Sequence, residues 1–199
     1  MFVKAVKVVL VDINPQMIHA WEEEFRQNPE IQIVLGSILD RKVDAWVTPT
    51  NSRGNMDGGV DAIIKKHLGA GIEKLVKAEI AMRYSGFMPV GHAVCVETGR
   101  ATPKYLISTP TMHASSQDIS DTLNVALACA AAFQMVDMQN AEVYGSITSV
   151  ALPGLGANTG RVPVRKCAEL IGIVYQLFRS RDFVDFGEMR IALEQVLKG

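Results

Sequence analysis

The chain has 199 residues, 48% of them hydrophobic, and its 20 Lys+Arg stand against 21 Asp+Glu for a formal net charge of −1. This balance excludes a generally basic surface for nucleic-acid backbones and an acidic solvating tail. No run of the sequence approaches the ~20 apolar residues of a membrane helix, and Met1 to Lys7 lack the charged, apolar, then small layout of a secretory leader. A cytoplasmic protein without membrane contact is therefore expected. The length suits one domain, taken as residues 1–199 with 1–32 as an N-terminal strand–helix extension. Cys95, Cys129 and Cys167 are an odd number at wide spacing, so reduced, buried thiols are expected.

In chain order, Ala5 to Val11 is nearly continuous β-branched sequence and predicts a buried strand. Asp12-Ile13-Asn14-Pro15 follows as a turn, with Asn14 as helix N-cap and Pro15 at the first helical position. Met17, Ile18, Trp21 and Phe25 recur at helical spacing until Asn28-Pro29. Ile31, Ile33 and Leu35 alternate as a strand. Val43 to Val47 predicts another, followed by a polar glycine-bearing loop from Thr48 to Gly59. Helices are expected over Val60 to Leu68 and Ile72 to Met82, parted by Gly69 to Gly71. Gly91 to Glu97 and Tyr105 to Ser108 read as strands, and Thr111 to Asp121 as a polar loop. Ser120 to Gln139 predicts a long alanine-rich helix. Ile147 to Leu152 is a strand, Pro153 to Pro163 a second glycine-bearing loop, Pro163 to Phe178 a helix, and the remainder a short helical end. Strands alternating with helices of this length predict an α/β sandwich, a sheet between two helix layers. The N-terminal strand–helix–strand is expected to add a strand to the sheet edge and a helix to one face.

Two glycine-rich loops follow buried strands and lead into helices. Ligands of open α/β sheets bind beyond the carboxyl ends of the strands. Helix N-termini there offer free N–H groups and partial positive charge, and glycine lets the backbone approach a phosphate. The first loop runs from Asn51 to Gly59 and the second from Pro153 to Gly160. A pair of such loops clamps a diphosphate with little formal positive charge. Ordinary turn glycines are the alternative.

Several motifs carry a resemblance. Leu35-Gly36-Ser37-Ile38 resembles a Gly-Asp-Ile motif, with Ser37 in place of the aspartate. Val43-Asp44-Ala45-Trp46-Val47-Thr48-Pro49-Thr50-Asn51 resembles Val-Asp-Ala-Ile-Val-Asn-Ala-Ala-Asn. Asp57-Gly58-Gly59-Val60-Asp61-Ala62-Ile63 resembles Gly-Gly-Gly-Val-Asp-Gly-Ala. Leu155-Gly156-Ala157-Asn158-Thr159-Gly160 resembles Leu-Gly-Cys-Gly-x-Gly. Together these resemble the macro domain, over roughly residues 33–178, with some features of its DNA ADP-ribosylglycohydrolase branch. The resemblance implies a three-layer α/β/α fold around a mixed sheet. It also implies binding of ADP-ribose or an ADP-ribosylated substrate between the two loops, with hydrolysis of the ADP-ribosyl bond as in some members. By the same resemblance Ser37 and Ile38 meet the adenine, and Asn51 the distal ribose. Gly58, Gly59, Val60, Gly154, Leu155, Gly156, Ala157, Asn158, Thr159 and Gly160 surround the diphosphate. Asp61, with Asn51, is the candidate catalytic residue, orienting or deprotonating a water. An acid in the first turn of a helix is also common for its dipole alone. Gly58 stands where the branch has a lysine, Asn158 where it has a glycine that asparagine replaces tolerably at positive φ, and Gly160 where most members have a tyrosine.

Other residues are set aside. Asp12 reads as turn chemistry, since no Gly-x-Gly precedes it. His19, His67, His92 and His113 lack ligand spacing, so no metal and no cofactor are expected. His113, after a strand end, reads as surface loop. Lys65 and Lys66 are expected to face solvent, and Asp57 either faces the diphosphate loop or turns away. Binding without turnover, and a macro-like scaffold with a lost or altered nucleotide site, stay open as alternatives.

Overall fold

The β-branched run at the start of the chain forms β1 (Lys7–Asp12), in which Val8, Val9, Leu10 and Val11 are all buried. A strand buried on both faces belongs inside a sheet rather than at its rim. The computed structural model describes residues 6–180 and 186–198. In it β1 lies between β2 (Gln32–Leu35) and β6 (Ser149–Leu152) of a six-stranded sheet ordered β2-β1-β6-β3-β5-β4. The N-terminal strand–helix–strand thus supplies the edge strand, β2, with β1 one place inside it.

β3 (Ala45–Asn51), β4 (Val94–Glu97) and β5 (Tyr105–Met112) complete the sheet. Every pairing is parallel except that of β4 with β5. Alternate residues of the central strands feed two separate cores, as the pleat requires. Val8, Leu10, Val47, Ile107 and Leu152 face one core, while Val9, Val11, Trp46, Leu106 and Ala151 face the other. The first core is closed by α1 (Pro15–Glu24), α4 (Asn124–Glu142), α5 (Val164–Ser180) and α6 (Phe186–Lys198). The second is closed by α2 (Gly59–Leu68) and α3 (Gly71–Tyr84). The three-layer expectation is met.

Local signals explain the boundaries. The Asn14 side chain accepts from the Gln16 N–H at 3.0 Å, and Pro15 opens α1. That helix stops at Glu24, one turn before Asn28-Pro29. Buried alanines along α4 bring it close to the sheet. Trp21 and Trp46 are both core residues, and the Trp46 indole donates to the Arg41 carbonyl at 3.0 Å. Cys129 and Cys167 are buried free thiols, and burial pushes Cys167 up to about 12.

Two strands run further than their apolar stretches. β3 continues through Thr48, Pro49 and Thr50 to Asn51, and β5 through Thr109 to Met112. The hydroxyls of Thr50 and Thr109 are buried but partnered, which lowers the cost of burial, whereas Thr48 Oγ1 is buried without a hydrogen-bond partner among the described residues. Thr50 Oγ1 and Ser108 Oγ lie 2.9 Å apart, and Thr109 Oγ1 reaches the carbonyls of His92 and Ala128, each at 3.1 Å. β3 pairs with β6 only at Ala45 and Trp46, so Pro49 falls where one side of the strand needs no ladder donor. Among the described residues, no helix is long and apolar enough to cross a membrane.

The parallel pairing has one consequence for the site. The carboxyl ends of β2, β1, β6, β3 and β5 share one edge of the sheet. The strand ends and the segments that follow them therefore line up in that order: Gly36–Ile38, Asp12–Ile13, Pro153–Gly160, Asn51 to the first turns of α2 at Ile63, and Thr111–Ser116.

Candidate functional site

A cleft of about 510 Å³ runs along that carboxyl edge. Of the residues selected from sequence, Ser37, Ile38, Asn51, Gly58, Gly59, Val60, Asp61, Gly154, Gly156, Asn158, Thr159 and Gly160 line it. Leu155 and Ala157 do not: Leu155 is fully buried in the core, and Ala157 packs against it.

The Asn51 side chain builds the first loop. Its Oδ1 accepts from the N–H groups of Arg53 at 3.0 Å and Asn55 at 3.2 Å, while its Nδ2 donates to Ser115 Oγ at 2.9 Å. It therefore holds its own turn closed and ties it to the loop after β5. Glu73 of α3 anchors the same loop, accepting from the Met56 N–H at 2.8 Å and pairing with Lys65 at 3.3 Å. The Met56 bond first, and then the lysines, hold Glu73 below the usual carboxylate range. Lys65 is thus half-buried in an ion pair, while Lys66 is exposed as expected.

Asp61 occupies the third position of α2. Its Oδ1 accepts from the Gly58 N–H at 3.2 Å and the Ala62 N–H at 2.7 Å, one half of a capping box. Burial raises its pKa to about 6, against the pull of those two bonds, and neighbouring Asp57 adds to the rise. Its Oδ2 has no hydrogen-bond partner among the described residues. Asp57 lines the cleft rather than turning away.

The two loops meet across the cleft. A Cβ built on Gly59, at φ +56°, lies 3.8 Å from Thr159 Oγ1. In the second loop the left-handed positions are Gly156 and Arg161, not Asn158. A Cβ at Gly160 would stand 2.6 Å from Ile119 Cγ1 and 2.7 Å from the Gly156 carbonyl. No side chain fits there, which explains the lack of an aromatic at this point. Among the described residues, no protein acceptor takes the N–H groups of Gly156, Ala157, Asn158, Thr159 or Gly160. The first-turn N–H groups of α2 are orphans by helix geometry. Both sets supply positive potential to the cleft without a charged side chain.

Sequence reasoning missed the β1 side of the cleft. Asp12 forms the turn expected of it, its Oδ1 accepting from the Asn14 N–H at 2.9 Å. It also lines the cleft, and its Oδ2 accepts from the Gly154 N–H at 3.1 Å. Val11, Ile13, Thr111, Met112, Ser115 and Ser116 line it too. The signal available for them was position alone, at the ends of parallel strands. Ser37 Oγ accepts from the Leu39 N–H at 3.2 Å and keeps its proton to donate. His113 is exposed, stacks on Phe87 with centroids 5.9 Å apart, and meets Ser52 Oγ at 3.2 Å. Among the described residues, no three His, Cys, Asp or Glu side chains gather as a metal site.

A family model described as Macro domain matches residues 47–171. A protein of Aquifex aeolicus is 36% identical over 136 residues, 67% of this chain and 73% of that protein. The macrodomain of Mycobacterium tuberculosis DarG is similar in structure, with a TM-score of 0.60 at 21% identity over 72% of this chain and 88% of that one. A mutant of the Oceanobacillus iheyensis macrodomain, solved with ADPR, gives a TM-score of 0.57 at 14% identity over 86% of this chain and 78% of that one. At these identities the two structures speak for the fold.

Proposed function

The chain belongs to the macro domain family, and from that premise we propose that its cleft binds ADP-ribose or an ADP-ribosyl group. The observation that carries the reading is the meeting of the two loops. They bring the N-terminus of α2 and the unpartnered N–H groups of Gly156, Asn158, Thr159 and Gly160 to one place. Such a pair of backbone anion sites suits a diphosphate. A related macrodomain has been solved with ADPR, which supports the same ligand here.

The order of loops along the sheet edge gives the ligand a direction. Val11, Ile13 and Ile38 make one end of the cleft apolar and suited to a base. Thr111, Ser115, Asn51 and Asp61 make the other end polar and suited to the distal ribose. The test is calorimetric titration with ADP-ribose, ADP and AMP. Binding of ADP-ribose in the micromolar range, much tighter than AMP, is the expected result. Equal or absent binding of all three overturns the reading in favour of a scaffold without a nucleotide site.

A second reading, hydrolysis of the ADP-ribosyl bond, is favoured by Asp61. Its carboxyl is held by two backbone donors, raised to about 6, and lines the cleft. A base with a pKa near the working pH is suited to activating water. Release of ADP-ribose from a modified substrate, lost in Asp61→Asn with binding retained, is the expected outcome. Turnover unchanged by that substitution removes Asp61 from the chemistry.

A further inference from the structure

We propose that Asp12 is a specificity-determining residue, accepting hydrogen bonds from the ribose that joins the base to the diphosphate and excluding ligands with a phosphate on that ribose. The inference rests on the cleft binding ADP-ribose in the direction given above.

Position comes first. Asp12 ends β1, and β1 lies between β2 and β6. Its carboxylate therefore stands between the apolar end of the cleft, at Ile13 and Ile38, and the second loop, at Gly154. A base at the apolar end and a diphosphate at the loop leave the intervening sugar over Asp12.

Orientation follows. Oδ1 accepts from the Asn14 N–H at 2.9 Å and Oδ2 from the Gly154 N–H at 3.1 Å. The carboxylate is fixed from two sides before any ligand arrives. A carboxylate has about four acceptor sites, so acceptor capacity remains for vicinal hydroxyls. It is acceptor-only when ionised, and sugar hydroxyls supply the donors.

Charge completes the case. The cleft is lined by Asp12, Asp57 and Asp61 and by no lysine or arginine among the described residues. The backbone N–H groups of the two loops are matched to one diphosphate. A further phosphate on the adjoining ribose would meet the Asp12 carboxylate with no cation to offset it. A free 2′-hydroxyl is attracted at the same point. The cleft therefore takes the unphosphorylated ribose.

The experiment is a competition titration of the whole chain with ADP-ribose, its 2′-deoxy analogue at the base-linked ribose, and ADP-ribose 2′-phosphate. The 2′-deoxy analogue is expected to bind about tenfold weaker, as for loss of a hydrogen bond to a charged acceptor. The 2′-phosphate is expected to bind about a hundredfold weaker. Asp12→Asn keeps the size of the side chain and removes the charge. With its folding checked by thermal melting, it should narrow the gap between ADP-ribose and the 2′-phosphate at least tenfold, which a purely steric exclusion would not do. If the variant does not fold, the two analogues decide the matter on the unmodified chain. Binding of both analogues within about threefold of ADP-ribose overturns the inference while leaving the proposed function standing. A folded Asp12→Asn with the full gap also overturns it. Failure of ADP-ribose itself to bind overturns the proposed function, and the inference with it.

Discussion

The carboxylate of Asp12 accepts a hydrogen bond from the backbone N–H of Gly154 at 3.1 Å, across 142 residues of sequence. It joins the end of the first strand to the second glycine loop, so the N-terminal strand–helix is part of the cleft. A Cβ at Gly154 would lie 2.8 Å from Asp12 Oδ2 and 3.1 Å from Met17 Sδ. Gly154→Ala should therefore cost about 1–3 kcal/mol in stability. Chemical denaturation measures this, and ADP-ribose affinity should fall in parallel. An unperturbed alanine variant would mean that the contact is not a constraint.

Asp61 gives a pH prediction. Burial raises its pKa to about 6 in the folded chain. Between the ordinary carboxylate range and pH 6 the folded state holds a proton that the unfolded state has released. Stability from this group therefore falls as pH rises through that window. Asp61→Asn keeps an acceptor for Gly58 and Ala62 without the buried charge. At pH 7 it should be more stable by about 1–2 kcal/mol, and its decline between pH 4 and 6 should be shallower. Urea melts at several pH values test this, and a variant with the parent's pH dependence contradicts it.

Asp44 works in the opposite sense. Its Oδ2 accepts from the Thr148 N–H and Oγ1, each at 2.8 Å, and from the Ser149 N–H at 2.9 Å and Oγ at 3.0 Å. Burial opposes its ionisation, but these bonds outweigh it and hold the carboxyl below its ordinary value. Its stabilising effect is present above the ordinary carboxylate range and is lost as pH falls through the lowered value. Asp44→Ala should cost about 2 kcal/mol at pH 7 and less under acid. The substitution loosens the start of β6 against β3, the strands that carry the two loops.

Asn51 sits in the cleft yet has all three of its hydrogen bonds inside the protein. Asn51→Ala should lose about 1–3 kcal/mol, because two loop N–H groups are left without their acceptor. Affinity for ADP-ribose should drop with it. Retained stability with lost binding would instead make Asn51 a direct ligand contact.

The sequence made the order of elements readable because apolar periodicity and turn residues agree. Asn14-Pro15 opening α1 and Gly69 to Gly71 parting α2 from α3 are examples. The ends of β3 and β5 were not readable, since buried threonines and serines look like loop until their partners across the sheet are known. Of the cleft, the glycine loops were legible as motifs. Asp12 was visible only as a turn residue, because its contact with Gly154 depends on which strands become neighbours. The absence of an aromatic at Gly160 was plain in the sequence. Its cause, the close approach of Ile119 and the Gly156 carbonyl, was not.

The most direct measurement of the central claim is an amide chemical-shift titration of the isotope-labelled chain with ADP-ribose. The largest shifts are expected at Gly59 and Val60 in the first loop and at Gly156 to Gly160 in the second, with smaller ones near Ile13 and Ser37. Shifts that are absent, or that gather on the far face of the sheet away from these amides, would contradict it.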